Sequence, residues 1–244
     1  CEYFVGTSAG SMVAAHLVAG RSPRRPDAVP DPPQPASAEA ERRLAGAGVR
    51  AARRAGEWGL AAAGTFAPLA LGLATPGGAL VRGAMLRRLP RPTQTLDGLR
   101  RHIDSLGARF DGRLRVTAVD KQTGRRVVFG SPGAPRATVG QAVEASCTVP
   151  WLFAPVSLNG REFVDGGVWS PTNLDVAPAG RGSSVLCLNP TASLSGTGDM
   201  ISMLRRVSQV AAGAETLVLR RRGAEVKVIG PSRDCARAMG INLM

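Results

Sequence analysis

Apolar and polar positions along the chain follow two rhythms, one of period two and one near 3.6, in alternating blocks. Residues 2–5 (Glu-Tyr-Phe-Val) form a short β-prone run. Residues 9–19 carry no charge and no turn residue beyond Gly10, and predict a buried helix stopped by Gly20. A tight turn, Gly6-Thr7-Ser8-Ala9-Gly10, joins the two. From residue 93 the rhythm resumes. Leu96, Leu99, Ile103 and Leu106 predict a helix over 95–106. A strand over 113–119 turns at Lys121-Gln122-Thr123-Gly124 into a second at 126–129. A helix over 138–147 follows. Strands at 155–158 and 161–164 then flank Asn159-Gly160, a strong hairpin signal. The run 184–188 reads as a buried strand. Residues 200–222 predict a long amphipathic helix with Met203, Val207, Val210, Ala214 and Leu217 on its apolar face, and 225–229 a last strand. Strands alternating with helices give an α/β class.

One stretch breaks the alternation. Residues 21–37 are rich in Pro, Asp, Ser and Arg and predict a linker. Residues 39–58 have helical spacing, with Arg43, Arg50, Arg53 and Arg54 opposite Leu44, Ala51, Ala55 and Trp58. Residues 59–81 carry no charge and approach bilayer length, but Pro68, Pro76 and several glycines interrupt them. A buried insertion or an interfacial lid fits this composition better than a spanning helix. The expectation is one domain over 1–244, partial in extent, with 21–92 as a Pro-rich linker and helical, apolar insertion.

Length and composition permit a packed core: 244 residues, 44% hydrophobic. Net charge is +13, carried by arginines except for Lys121 and Lys227. Such a surface favours anionic partners. Only 4% of residues are aromatic and no recognition motif accompanies the charge, so nucleic acid is not expected. Cys1, Cys147, Cys187 and Cys235 are scattered and predict inert thiols. His16 and His102 lie far from any cysteine cluster, so no zinc site is expected. The chain opens on Cys1 inside an apolar run, with no signal peptide, which suggests a fragment.

The chemistry centres on Gly6-x-Ser8-x-Gly10. This nucleophile-elbow pattern sits between a strand and a small-residue helix, the context it requires. A serine held on a sharp turn projects its hydroxyl from the sheet, and the helix behind it offers free N–H groups to developing negative charge. A Ser-His-acid triad fails on inventory: no histidine follows His102, and His16 falls two turns into the helix after the elbow, about 12 Å along its axis. A carboxylate acting directly as base remains. Asp165 stands out, ending the strand Arg161–Val164 before Gly166-Gly167. Asp120 leads into a hairpin and reads as a turn residue, and Asp175 as a cap or loop residue.

Three ordered blocks resemble patatin-like phospholipases: Gly6-Thr7-Ser8-Ala9-Gly10-Ser11; Ala145-Ser146-Cys147-Thr148-Val149-Pro150 with Phe153 and Pro155; and Phe163-Val164-Asp165-Gly166-Gly167-Val168 with Pro171-Thr172-Asn173. The resemblance covers roughly 1–20 and 95–244. It implies a three-layer fold with a mainly parallel central sheet. It also implies a Ser–Asp dyad, with Ser8 as nucleophile and Asp165 as base, hydrolysing lipid esters through an acyl-enzyme without metal or organic cofactor. In that family a Gly-rich basic loop upstream of the elbow strand forms the oxyanion hole. This chain begins after that point, and Gly77-Gly78 cannot replace the loop.

The leading expectation is therefore a serine lipid acyl hydrolase of the phospholipase A, lysophospholipase or esterase type, serving lipid degradation. The alternative is a catalytically impaired lipid- or partner-binding protein of the same fold. The Arg-rich 39–58 stretch and apolar 59–81 stretch would suit peripheral contact with an anionic membrane surface, which gives a cytoplasmic or peripheral membrane location.

Overall fold

A computed structural model describes residues 2–22, 78–190 and 199–232. The expectations for the 23–77 linker and insertion, for Cys1 and for Cys235 lie outside these residues. The elements are β1 (Phe4–Gly6), α1 (Ala9–Val18), α2 (Gly78–Arg88), α3 (Asp97–Ser105), β2 (Leu114–Asp120), β3 (Arg126–Phe129), α4 (Val139–Cys147), β4 (Val156–Leu158), β5 (Arg161–Asp165), β6 (Ser184–Leu188), α5 (Asp199–Arg221) and β7 (Glu225–Ile229), with 3-10 turns at Gly166–Val168 and Leu174–Val176.

The α/β class stands, but the sheet is mixed where a mainly parallel one was expected. β1 pairs parallel with β2 and β6 with β7, whereas β3 and β5 pair antiparallel with β2, and β4 with β5. Two hairpins account for two of the three antiparallel pairings, β2–β3 and β4–β5. Asn159 and Gly160 both take positive φ (52° and 73°), which returns β4 directly alongside β5. Asp120 does the same for β2 and β3: its Oδ1 accepts from the Gln122 and Thr123 amides at 2.9 and 2.8 Å. Its Oδ2 meets Arg161 at 2.6 Å. Asp120 is thus a turn residue held by an ion pair as well.

The sheet separates two layers. Val116, Ala118, Phe129 and Phe163 face one side and pack with Ala14 and Ala15 of α1, Ile103 of α3, and Ala142, Val143 and Ala145 of α4. Val119 and Val164 point to the other side, against Leu86 of α2. Thr138 caps α4 with a reciprocal capping box through Gln141, as its sequence spacing demands.

Residues 78–81, read as the tail of an uncharged segment, instead start α2, which continues with Arg82, Arg87 and Arg88. A Cβ on Gly124 would lie 2.1 Å from the Ala79 carbonyl, and one on Gly83 2.7 Å from the Gln122 carbonyl, so backbones touch here. Arg82 donates to the Gly124 carbonyl at 2.7 Å and lies over the Trp169 ring at 4.3 Å.

The face of α5 differs from the expected one. Among its described side chains Val210 and Leu217 are exposed, while Ser208, Ala212, Thr216 and Leu219 are buried. Polar residues win because they bond inward: Ser208 meets Asn189, and Glu215 meets the loop after β5. Among the described residues no helix is long and apolar enough to cross a membrane.

Candidate active site

β2 is flanked by three strands, so two must share an edge. Asp120 donates its amide to Arg125 before β3, whereas Lys121 donates to Glu162 of β5 and Arg113 accepts from Phe4 of β1. Odd and even residues of a strand address opposite edges. β1 and β5 therefore lie on one edge of β2, in succession. β1 runs up that edge to a Gly6–Val116 register and β5 runs down it to Asp165–Ala118. Their C-terminal ends meet head to head at Thr117. This meeting brings Ser8 and Asp165 together, although they are distant in sequence.

The elbow side is built by backbone constraint. Ser8 sits at φ 51° and ψ −127°, a region that non-glycine residues avoid and that stores about 1–3 kcal/mol of strain. Three bonds hold it. The Ser8 amide donates to Ser146 Oγ at 2.9 Å, Ser11 Oγ donates to the Ser8 carbonyl at 2.6 Å, and the Ser11 amide donates to the same carbonyl at 2.8 Å. Gly6 is required by close approach, since a Cβ there would lie 2.3 Å from Ser11 Cα. Gly10 differs: a Cβ there meets nothing within 4 Å, so the second elbow glycine leaves open space rather than relieving a clash. Ala9 occupies the first helical position of α1, where an N–H has no intrahelical acceptor.

The Asp165 side is built the same way. Its amide donates to the Thr148 carbonyl at 2.8 Å, and its Oδ1 accepts from the Gly167 amide at 2.7 Å. Burial pushes the Asp165 carboxyl up to about 6, against hydrogen bonds from Gly167 N–H and the Ser8 hydroxyl that pull it down. A Cβ on Gly166 would lie 2.5 Å from the Thr117 carbonyl, so this glycine lets the loop close on β2, and one on Gly167 would lie 3.1 Å from Asp165 Oδ1, so Gly167 leaves room for the carboxylate itself.

Asn173 joins the two halves. It is fully buried in the left-handed region (φ 48°). Its Nδ2 donates to Ser170 O at 2.6 Å, Thr7 Oγ1 at 3.1 Å and Gly166 O at 3.2 Å, and its Oδ1 accepts from Arg126 at 3.1 Å. Thr7 Oγ1 also bonds Thr117 Oγ1 at 2.8 Å. Asp175 pairs with both terminal nitrogens of Arg126 at 2.6 and 2.7 Å, more than the loop role expected for it. Glu215 accepts from Thr172 Oγ1 at 2.5 Å and the Leu174 amide at 2.7 Å, and burial raises its pKa.

The family model described as patatin-like phospholipase matches residues 1–178. The chain belongs to the patatin-like phospholipase family. Membership supports lipid acyl hydrolysis as its general chemistry and lipids as its substrates. The matched span includes every residue named above for the elbow and the Asp-Gly-Gly loop.

Around this patatin-like site, Cys147 lies against Ser11, with 3.8 Å between sulfur and oxygen; burial, with the Asp165 charge, pushes its thiol up to about 12. Burial likewise lifts Cys187 to about 11, so both free thiols stay protonated at neutral pH. His16 and His102 do not join Ser8; they meet each other instead. Among the described residues no group of three or more His, Cys, Asp or Glu side chains converges as a metal site. Two supporting residues were not singled out from sequence, Thr117 and Glu215, and Ser146 stood only within the Ala145–Pro150 block. Thr117 could have been suspected as the uncharged polar position in an otherwise apolar and Arg-bearing strand.

Proposed function

We propose that this protein cleaves lipid esters with a Ser8–Asp165 dyad through an acyl-enzyme. The observation that carries the reading is the strained Ser8 turn set head to head with a buried carboxyl whose pKa is pushed to about 6. A base titrating there is ionised at neutral pH and still able to take a proton. In the first half-reaction Ser8 Oγ attacks the ester carbonyl as its proton passes to Asp165. The Ala9 N–H and the start of α1 face the developing oxyanion. Collapse expels the alcohol, which leaves with the proton from Asp165. Water then attacks the acyl-serine, with Asp165 again taking the proton and returning it to Ser8. Leu86, Leu89, Phe153 and Val164 line a small apolar recess on the α2 side of β5. The net charge of +13 suits a substrate presented at an anionic surface.

A fluorophosphonate probe tests the dyad. Labelling is expected on the peptide bearing Ser8, absent in Ser8→Ala, with a rate that rises as pH climbs through about 6 and levels above it. The direction follows from the carboxyl: below about 6 it is protonated and cannot act as base. A chain that binds lipid vesicles but resists the probe at every pH would be the binding protein instead.

A further inference from the structure

The chain's two histidines, 86 positions apart, come together on one surface. His16 lies near the end of α1 and His102 near the end of α3, with 5.4 Å between ring centroids and 3.4 Å between the two Nε2 atoms. His16 Nδ1 bonds the Met12 carbonyl at 2.8 Å. A carbonyl only accepts, so that nitrogen carries the proton and Nε2 presents its lone pair toward His102.

The direct bond between the rings is a long one, because 3.4 Å exceeds the usual range of about 2.7–3.2 Å for N–H donors. A metal fits better. A tetrahedral ion with bonds of about 2.0–2.1 Å to imidazole sets its ligand nitrogens about 3.3–3.4 Å apart. The remaining ring N–H of a metal-bound histidine commonly rests on a backbone carbonyl, as His16 does on Met12. His102 is exposed and His16 half-buried, so water can complete the coordination. Among nearby cations, Arg100 is committed to Asp97 at 2.9 Å and leans on Glu144.

We propose that His16 Nε2 and His102 Nε2 form a two-histidine site for a zinc-class divalent ion, which clips α1 to α3. The site is separate from the ester chemistry: Ser8 stands at the opposite end of α1. Two protein ligands with water imply readily exchanged metal rather than a permanent structural ion.

Calorimetric titration of the whole chain with ZnCl₂ tests it, alongside thermal unfolding. One ion per chain is expected, with a rise in Tm of about 2–4 °C at saturation. His16→Ala and His102→Ala should each weaken binding at least about tenfold and remove the Tm rise. His102→Asn serves as a second variant, and circular dichroism checks each fold. Co²⁺ should give a tetrahedral spectrum with no thiolate charge-transfer band. Absence of binding, unchanged binding in the folded variants, or a thiolate band would each overturn the proposal.

Discussion

Asp165→Asn is expected to lower kcat about 10³-fold and, at pH 8, to raise the melting temperature. The two effects share one cause. The carboxyl is buried and its pKa stands at about 6, against an ordinary 3.8, because the charged form is desolvated. A carboxyl raised on folding favours the native state while protonated. That advantage fades as pH rises from near 4 through about 6, after which the buried charge is a fixed cost. That rise corresponds to about 3 kcal/mol. Asparagine keeps the oxygen that accepts from Gly167 and turns an amide toward Ser8, without charge. Melting curves at pH 8 and pH 4 check this: the variant should gain several degrees at pH 8 and nothing at pH 4. Equal losses of activity and stability would make Asp165 a structural residue.

Asn173→Asp should be far more damaging than its near-identical shape suggests. Aspartate tolerates the left-handed backbone that Asn173 adopts, and its volume fits. The fault is electronic. Nδ2 donates to three oxygens, those of Ser170, Gly166 and Thr7, and a carboxylate would set an acceptor against the two that are backbone carbonyls, Ser170 O and Gly166 O, inside a fully buried pocket. A buried network broken this way costs about 3–5 kcal/mol. The Arg126 contact offsets only part of that. Denaturant unfolding at pH 7 should show the loss, and probe labelling of Ser8 should slow in whatever folded fraction remains, because Thr7 adjoins the nucleophile. Asn173→Gly keeps the backbone while leaving the acceptors unpaired, so it should fall between the wild type and the aspartate.

Much of the framework was legible because local rules decided it. The Asn159-Gly160 turn is a short-range signal, and, α2 apart, the elements fall within a residue or two of their expected bounds, although β2 is buried on both faces where alternation was expected. Sheet direction was not legible, because it depends on which edge of β2 each strand takes, a long-range choice. The face of α5 misled for a related reason. Its hydrophobic stripe suggested Val210 and Leu217 inside, but Glu215 and Ser208 had partners waiting in other elements. The Ser8 and Asp165 motifs could be read directly. The partners of Thr117 and Ser146 could not, since a lone hydroxyl in a strand or helix announces no partner. The two histidines were assigned to separate helices, and nothing in their spacing showed that the helices cross there.

The collinear arrangement of β1 and β5 has a consequence for the order of events during synthesis. A ribosome that has released only the elbow has made half a reaction centre; the other half emerges most of a domain later, and no shorter path joins them. High contact order of this kind delays assembly until nearly the whole sheet is in register. Under the proposed dyad, a nascent or unfolded chain holds no competent nucleophile, and ester cleavage would begin only with completed folding.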